Sequence, residues 1–335
     1  MPVVLTRRVL IASIAFVVTA CGGPASTSVA PANQPLGTSR APQAASSRVV
    51  HRGVPFAIGS SHGPALRAQG DYPTEHPLLF VSNQSAAAVA VFSLRLIKHN
   101  RNPIAQLAST SGCPYGIAED KHGSIYVVQN CPPDGNVVDV FPKGSTSPSR
   151  QITDGISNPL GAAIDAKGDL YVSNSPAAIT VYPPGASSPS QTITGGGMSA
   201  PFGLAFDKNG NLFIADFGAD QVFEVAKGTT TPVPLNLQDL TEPLQVAFDH
   251  SGNMLVTDGE GNRVQIYPPG ATTPSQTLSG DFKFPYAVTV GPSGDAYISD
   301  IDANAVYVFH PGASAPFATQ TRGLSTPTAL LAKKP

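Results

Sequence analysis

Six polar side chains stand at matching points of short apolar runs. Asn83 follows LLFVS, Gln129 follows IYVV, Asn174 follows LYVS, Asp216 follows LFIA, Asp258 follows MLVT and Asp300 follows AYIS. Carboxylates and carboxamides gathered in a ring would suit a divalent cation such as Ca2+, or a polyhydroxyl ligand, because each offers hard oxygen donors. The same residue types accept hydrogen bonds from nearby backbone N–H groups, so each could instead cap its own loop. Glu119, in GIAED, is the further carboxylate that could join a cation site. Other chemistries lack their residues. His51, His62, His76, His99, His122, His250 and His310 are scattered, with no His-x-x-x-His pair. No serine sits in a nucleophile elbow, and no Gly-rich phosphate loop joins a strand to a helix. No catalytic residue is assigned, and no cofactor is expected apart from a divalent cation in an enzyme.

The elements that must position the ring are repeated. PYGIAEDKHGSIYV, PLGAAIDAKGDLYV, PFGLAFDKNGNLFI, PLQVAFDHSGNMLV and PYAVTVGPSGDAYI align on Pro114, Pro159, Pro201, Pro243 and Pro285, and Pro327 follows. The spacing is 45 once and 42 four times, and Gly123, Gly168, Gly210, Gly252 and Gly294 keep step. Each unit holds four short alternating or β-branched runs between turn signals, which predicts a small antiparallel sheet. One such sheet cannot bury its own faces; radial repetition can, as a β-propeller. YPPGASSPSQTI (Tyr182–Ile193) and YPPGATTPSQTL (Tyr267–Leu278) then read as the turn from third to fourth strand, with Gly185 and Gly270 free to take a positive φ. Asp165, Asp207 and Asp249 fall in D-x-x-G contexts at the opposite turns and read as turn residues.

The chain ends supply the blade count. Leu78–Asn83, Val89–Phe92 and Ile104–Leu107 match second, third and fourth strands with no first strand before them. STPTALLA, from Ser325 to Ala332, matches a first strand with nothing after it. The expected fold is all-β: a six-bladed β-propeller of four-stranded antiparallel blades, closed by a composite blade from both ends. Tyr115, Leu160, Phe202, Leu244, Tyr286 and Thr328 each follow a repeat proline. They would either form an apolar collar at the mouth of the central channel, suited to a peptide or a sugar face, or pack between blades. Arg95, Lys98, His99 and Arg101 form a small basic turn in the composite blade that reads as solvated surface.

PFGLAFDKNGNLFIADFGADQVFEV, from Pro201 to Val225, resembles an NHL repeat. Such repeats occur in the wider six-bladed group that includes gluconolactonase-like (SMP-30-like) proteins, and the resemblance covers roughly residues 77–333. It departs from the usual loop at Ser175–Ala178 and in the PPGA turns. A gluconolactonase-like enzyme would imply a metal-dependent lactonase or hydrolase, with an acidic ligand in an early inner strand and Asn and Asp ligands from others. Glu119, Asn174, Asp216 and Asp258 are the residues that could fill those roles.

The N-terminus is read apart from the fold. Arg7 and Arg8 precede the apolar run VLIASIAFVV, which ends at Val18, and Thr19, Ala20 and Cys21 follow. A charged start, a brief apolar run and small residues read as an export signal over residues 1–20. VTAC resembles a bacterial lipobox, with Val18 in place of the usual Leu; the resemblance implies cleavage before Cys21 and lipidation of that residue. Gly22 in place of Asp points to outer-membrane sorting if the cell has two membranes; otherwise the protein is surface-anchored or secreted. Residues 21–76 are rich in Ala, Ser, Pro and Gln and read as a flexible tether, with the propeller over 77–333.

With Cys21 given to lipid, Cys113 and Cys131 remain as a pair in an exported domain, where disulfides persist. The one long repeat spacing puts its extra residues in the loop holding Cys131, which reads as a loop pinned by Cys113–Cys131. A short closed loop of this kind contributes about 3 kcal/mol. The formal charge of −2 argues against nucleic acid. The leading expectation is a lipid-anchored, extracytoplasmic binding or scaffold module with a monomeric head, taking a protein, peptide or glycan on one rim. The alternatives are the lactonase and a structural envelope lipoprotein without a specific ligand.

Overall fold

A computed structural model describes residues 71–108, 111–130 and 136–335. The export signal, Cys21, most of the tether and Cys131 lie outside the described residues. The rest forms six four-stranded antiparallel sheets, numbered here as blades I to VI along the chain. Blade II runs Pro114–Glu119, Ile125–Gln129, Val137–Phe141 and Arg150–Ile152 from the inner to the outer strand. The inner strands of blades III to VI are Pro159–Ile164, Pro201–Phe206, Pro243–Phe248 and Pro285–Val290. Neighbouring inner strands touch all the way round, so the ring is closed.

Blade I is the composite. Its inner strand is Pro327–Lys333, followed outward by Leu78–Asn83, Ala88–Ser93 and Ala105–Ala108. Leu78 pairs with Lys333, Phe80 with Leu331 and Asn83 with Pro327. The expected blade count and closure are therefore both observed. One boundary moves. Tyr72, placed in the tether by its sequence neighbours, is 2% exposed and packs edge-to-face on Phe80 at 5.3 Å. Its N–H donates to Gly144 O at 2.8 Å. Ala/Ser/Pro composition dominated the reading of that stretch, and a single aromatic was too local a signal to end it.

Alternation along the strands builds the core. Successive side chains of a strand face opposite sides, so Leu78 and Phe80 pack toward blade II while Leu79 and Val81 pack toward blade VI. The result is six apolar clusters, one in each interface between neighbouring blades. A blade here buries both faces against neighbours, which is why no blade could stand alone.

The twelve-residue repeat serves those interfaces. Gly185 and Gly270 take φ of +78° and +74° as the turn requires. In the same motif, Tyr182 Oη donates to Asp154 O at 2.8 Å and Tyr267 Oη donates to Gln238 O at 2.6 Å, each in the preceding blade. The turn carbonyls of Thr146, Thr272 and Ser314 accept from Ala108, Gln238 and Ser279 N–H groups of the preceding blade at 2.8–3.0 Å. The turn thus fastens one blade to the next while ending its own third strand.

Candidate functional site

The six polar residues form a ring at the proline rim, and all are 0–3% exposed. Their positions follow from the strand register: Gln129, Asn174, Asp216, Asp258 and Asp300 each lie opposite the repeat proline of their blade. Proline has no N–H to donate, so the ladder starts with the neighbouring N–H groups instead. Asp216 accepts from Ser199 and Ala200 at 2.8 Å, and from Gly218 and Ala219 at 3.1 and 3.0 Å. Asp300 accepts from Lys283, Phe284, Asp302 and Ala303. Asp258 takes the N–H groups of Thr241 and Glu242, the Thr241 hydroxyl and Arg263 Nε at 3.0 Å. Asn174 and Asn83 catch Ser157 and Ser325 N–H groups in the same way, while Gln129 donates to Asp139 at 2.9 Å. Burial pushes the Asp216 carboxyl above its ordinary range, against the pull of its four backbone N–H partners. Of the two readings of the ring, the capping one describes these contacts.

Glu119 stands elsewhere. It closes the inner strand that Pro114 opens and pairs with Ile125, whereas Pro114 pairs with Gln129. A six-residue strand separates the two ends by roughly 16 Å, so Glu119 and the ring cannot share one ion. The Glu119 carboxylate instead pairs with the Lys333 ammonium, tying the inner strands of blades II and I. Among the described residues, no three His, Cys, Asp or Glu side chains gather as a metal site. The ligand set implied by the gluconolactonase resemblance is therefore split between opposite faces.

The residues after the repeat prolines are buried. Tyr115, Leu160, Phe202, Leu244, Tyr286 and Thr328 are 0–8% exposed. Phe202 and Tyr286 meet edge-to-face at 5.1 Å although blade V lies between their blades. Tyr115 Oη accepts from Gln84 Nε2 at 2.7 Å. Burial drives the Tyr286 phenol well above its usual range, with the nearby Tyr115 and Glu242 adding to the effect. Thr328 departs from the aromatic and aliphatic pattern, and its hydroxyl donates to Pro114 O at 2.7 Å.

Sequence reasoning missed a set of hydroxyls beside the ring. Ser173 Oγ donates to Phe202 O at 2.6 Å and accepts from Gly161 N–H at 2.8 Å. Thr257 Oγ1 bridges Tyr286 O and Gln245 N–H in the same manner. These hydroxyls, with Ser299 Oγ accepting from Ala287 N–H at 3.1 Å, satisfy the N–H groups left by the irregular start of the inner strands of blades III, V and VI. The signal is the Ser or Thr directly before Asn174, Asp258 and Asp300.

Cys113 is disulfide-bonded, and its partner lies outside the described residues. Cys113 O accepts from Asn130 N–H at 3.1 Å, which brings the residue before Cys131 alongside it.

Open space lies on the other face, among the hairpin turns. Clefts between neighbouring blades measure about 470 Å³ for IV and V, 460 Å³ for VI and I, 310 Å³ for II and III, and 150 Å³ for V and VI. The IV–V cleft has an apolar floor of Phe213, Phe248, Met254, Leu235 and Leu237, with Glu224 among them. Phe213 and Phe248 pack edge-to-face at 4.9 Å. Its size and mixed lining are those of a small-ligand or peptide site.

No protein-family description matches the chain, and no curated protein matches it in sequence. Three solved structures resemble it. A chain of a nidogen/laminin complex aligns with a TM-score of 0.62 at 18% identity, covering 76% of this chain and 97% of that one. A Bacteroides caccae protein of unknown function aligns with a TM-score of 0.59 at 14% identity, covering 77% and 98%. The WD40 β-propeller domain of Doa1 aligns with a TM-score of 0.58 at 9% identity, covering 79% and 91%. At such identities the likeness is one of fold: the chain is a six-bladed β-propeller with a composite closing blade.

Proposed function

We propose that this propeller is a binding module for a protein, peptide or glycan, carried outside the cytoplasm on a lipid-anchored tether. The observation that carries the reading is the contrast between the two faces. At the proline rim the ring residues and the residues after the repeat prolines are 0–8% exposed, whereas the turn face opens the roughly 470 Å³ cleft with aromatic floor and polar wall. The fold supports it: a chain of similar fold belongs to a nidogen/laminin complex, and propeller faces are broad, rigid platforms. Selection from a displayed random-peptide library and a glycan array against the immobilised full chain tests it. Convergent ligands that bind saturably are expected; the absence of enrichment on both would overturn it.

The anchor rests on the VTAC stretch ending at Cys21. The lipid of such an anchor is attached through the cysteine thiol, so Cys21→Ser is expected to move the protein from the membrane fraction to the soluble fraction and to abolish incorporation of radiolabelled palmitate. Membrane retention of the variant would exclude lipid at this residue. The Cys113–Cys131 disulfide and the NHL-like assignment belong to the same proposal and are supported by the bonded state of Cys113 and by the six-bladed fold.

A further inference from the structure

The repeats allow each blade to be compared position by position, and blade IV breaks the pattern twice. The first break is at Glu224. Three residues into the third strand from the partner of each ring residue stand Val91, Val140, Val181, Glu224, Ile266 and Val308. Five blades thus place a β-branched aliphatic side chain in an inter-blade wall where blade IV places a carboxylate. Glu224 is half-buried. It pairs across the ladder with Phe213, so both side chains face blade V and the cleft. No hydrogen bond or ion pair satisfies its carboxylate among the described residues, whereas Asp207 and Asp249 in the same cleft are taken up by the N–H groups of their own turns.

The second break is in the turn that follows. Blade IV has VAKGTT where blade V has YPPGAT. Its outer strand, Val233–Pro234, is two residues long, against three or four in every other blade. Leu235 and Leu237, just beyond it, line the cleft. The roughly 470 Å³ cleft on the turn face therefore lies where the repeat is interrupted.

The charge of the lining selects the occupant. Asp207, Glu224 and Asp249 face one ammonium, Lys208, which leaves a formal −2 with His250 neutral. The VI–I cleft instead carries Arg95 and Lys98 with Asp295, and the II–III cleft carries Lys121 and Arg150 with Asp120. A half-buried carboxylate beside two phenylalanine rings suits a cation whose body is apolar or flat: the rings take the stem or the face, and the carboxylate takes the charge. We infer that the IV–V cleft receives a basic side chain, arginine or lysine, of a partner peptide, with Glu224 as its counter-ion and Phe213 and Phe248 as its apolar seat. This rests on the binding-module reading and specifies the site and chemistry of its ligand.

The probes are N-acetyl-arginine methylamide and its neutral isostere N-acetyl-citrulline methylamide, titrated against the purified full chain and followed by NMR and calorimetry. The arginine probe is expected to bind saturably and roughly tenfold more tightly than citrulline, the share of a single charge-assisted contact. Glu224→Gln should erase that preference. Glu224→Val restores the residue type of the other blades; it should fold, melt no lower than the wild type and also lose the preference. A lower melting temperature for E224V would show that the carboxylate is a structural part of the wall and overturn the inference. So would equal binding of both probes, or a preference that survives E224Q. If library-selected peptides bind but lack basic residues and ignore E224Q, this inference falls while the binding-module reading stands; if nothing is selected, that reading falls as well.

Discussion

Deletion of residues 327–335 is expected to abolish the cooperative unfolding transition of the propeller and leave an aggregating chain. The removed strand forms the whole inner edge of blade I, in register with Leu78–Asn83. Ala329 and Leu331 pack into the I–II cluster, and Leu330 packs into the I–VI cluster. Thr328 and Lys333 make polar links to Pro114 and Glu119 in blade II. The deletion therefore breaks the ring, opens two apolar interfaces and exposes the edge of a strand that is wholly buried. The loss is expected to consume the whole stability margin of a typical domain, about 5–15 kcal/mol. Thermal unfolding by circular dichroism and size-exclusion chromatography check it. A soluble monomer with a melt near that of the full chain would mean that strand closure does not hold the ring.

Gly161→Ala should cost about 3 kcal/mol or more, because an added methyl has no room and the obstacle cannot move aside. Gly161 lies in the inner strand of blade III, and a Cβ built there overlaps the Phe202 carbonyl oxygen of blade IV. That oxygen is held by the Ser173 hydroxyl. Gly116 and Gly203, in the same position of blades II and IV, meet the backbone of the next blade in the same way. These glycines let the inner strands approach closely around the axis. Gly185→Ala is the contrast. Its φ is +78°, but nothing lies within 4 Å of the added atom, so only the backbone penalty of about 1 kcal/mol applies. Chemical denaturation of both variants separates the two roles. Equal losses would show that close approach of the inner strands is not what Gly161 provides.

Capping explains why the most suggestive residues of the sequence are the least available. Asn83, Gln129, Asn174, Asp216, Asp258 and Asp300 sit where a proline leaves the sheet without a donor, and five of the six, Asn83, Asn174, Asp216, Asp258 and Asp300, accept backbone N–H groups from the loop that leads into the inner strand of their blade. A residue chosen for that task must be small, polar and rich in acceptors, which is also the description of a metal ligand. Type and spacing alone could not separate the two uses. The buried N–H partners do, since an oxygen occupied by backbone donors and 0–3% exposed has little left for an ion.

The amino-acid sequence by itself determined the architecture of this protein. A 42-residue period with prolines and glycines in step sets the blade length, and complementary fragments at Leu78–Asn83 and Pro327–Lys333 set the count and the closure. These are properties of alternation and turn chemistry, which act within a few residues and so are written locally. Tertiary structure alone decided which surfaces are open. Whether Tyr286 faces a ligand or Phe202 depends on how six inner strands converge on one axis, and whether Glu224 is a wall or a site depends on the gap left by the blade beside it. Both are distances between segments far apart in the chain, and such distances are set by the closing of the ring.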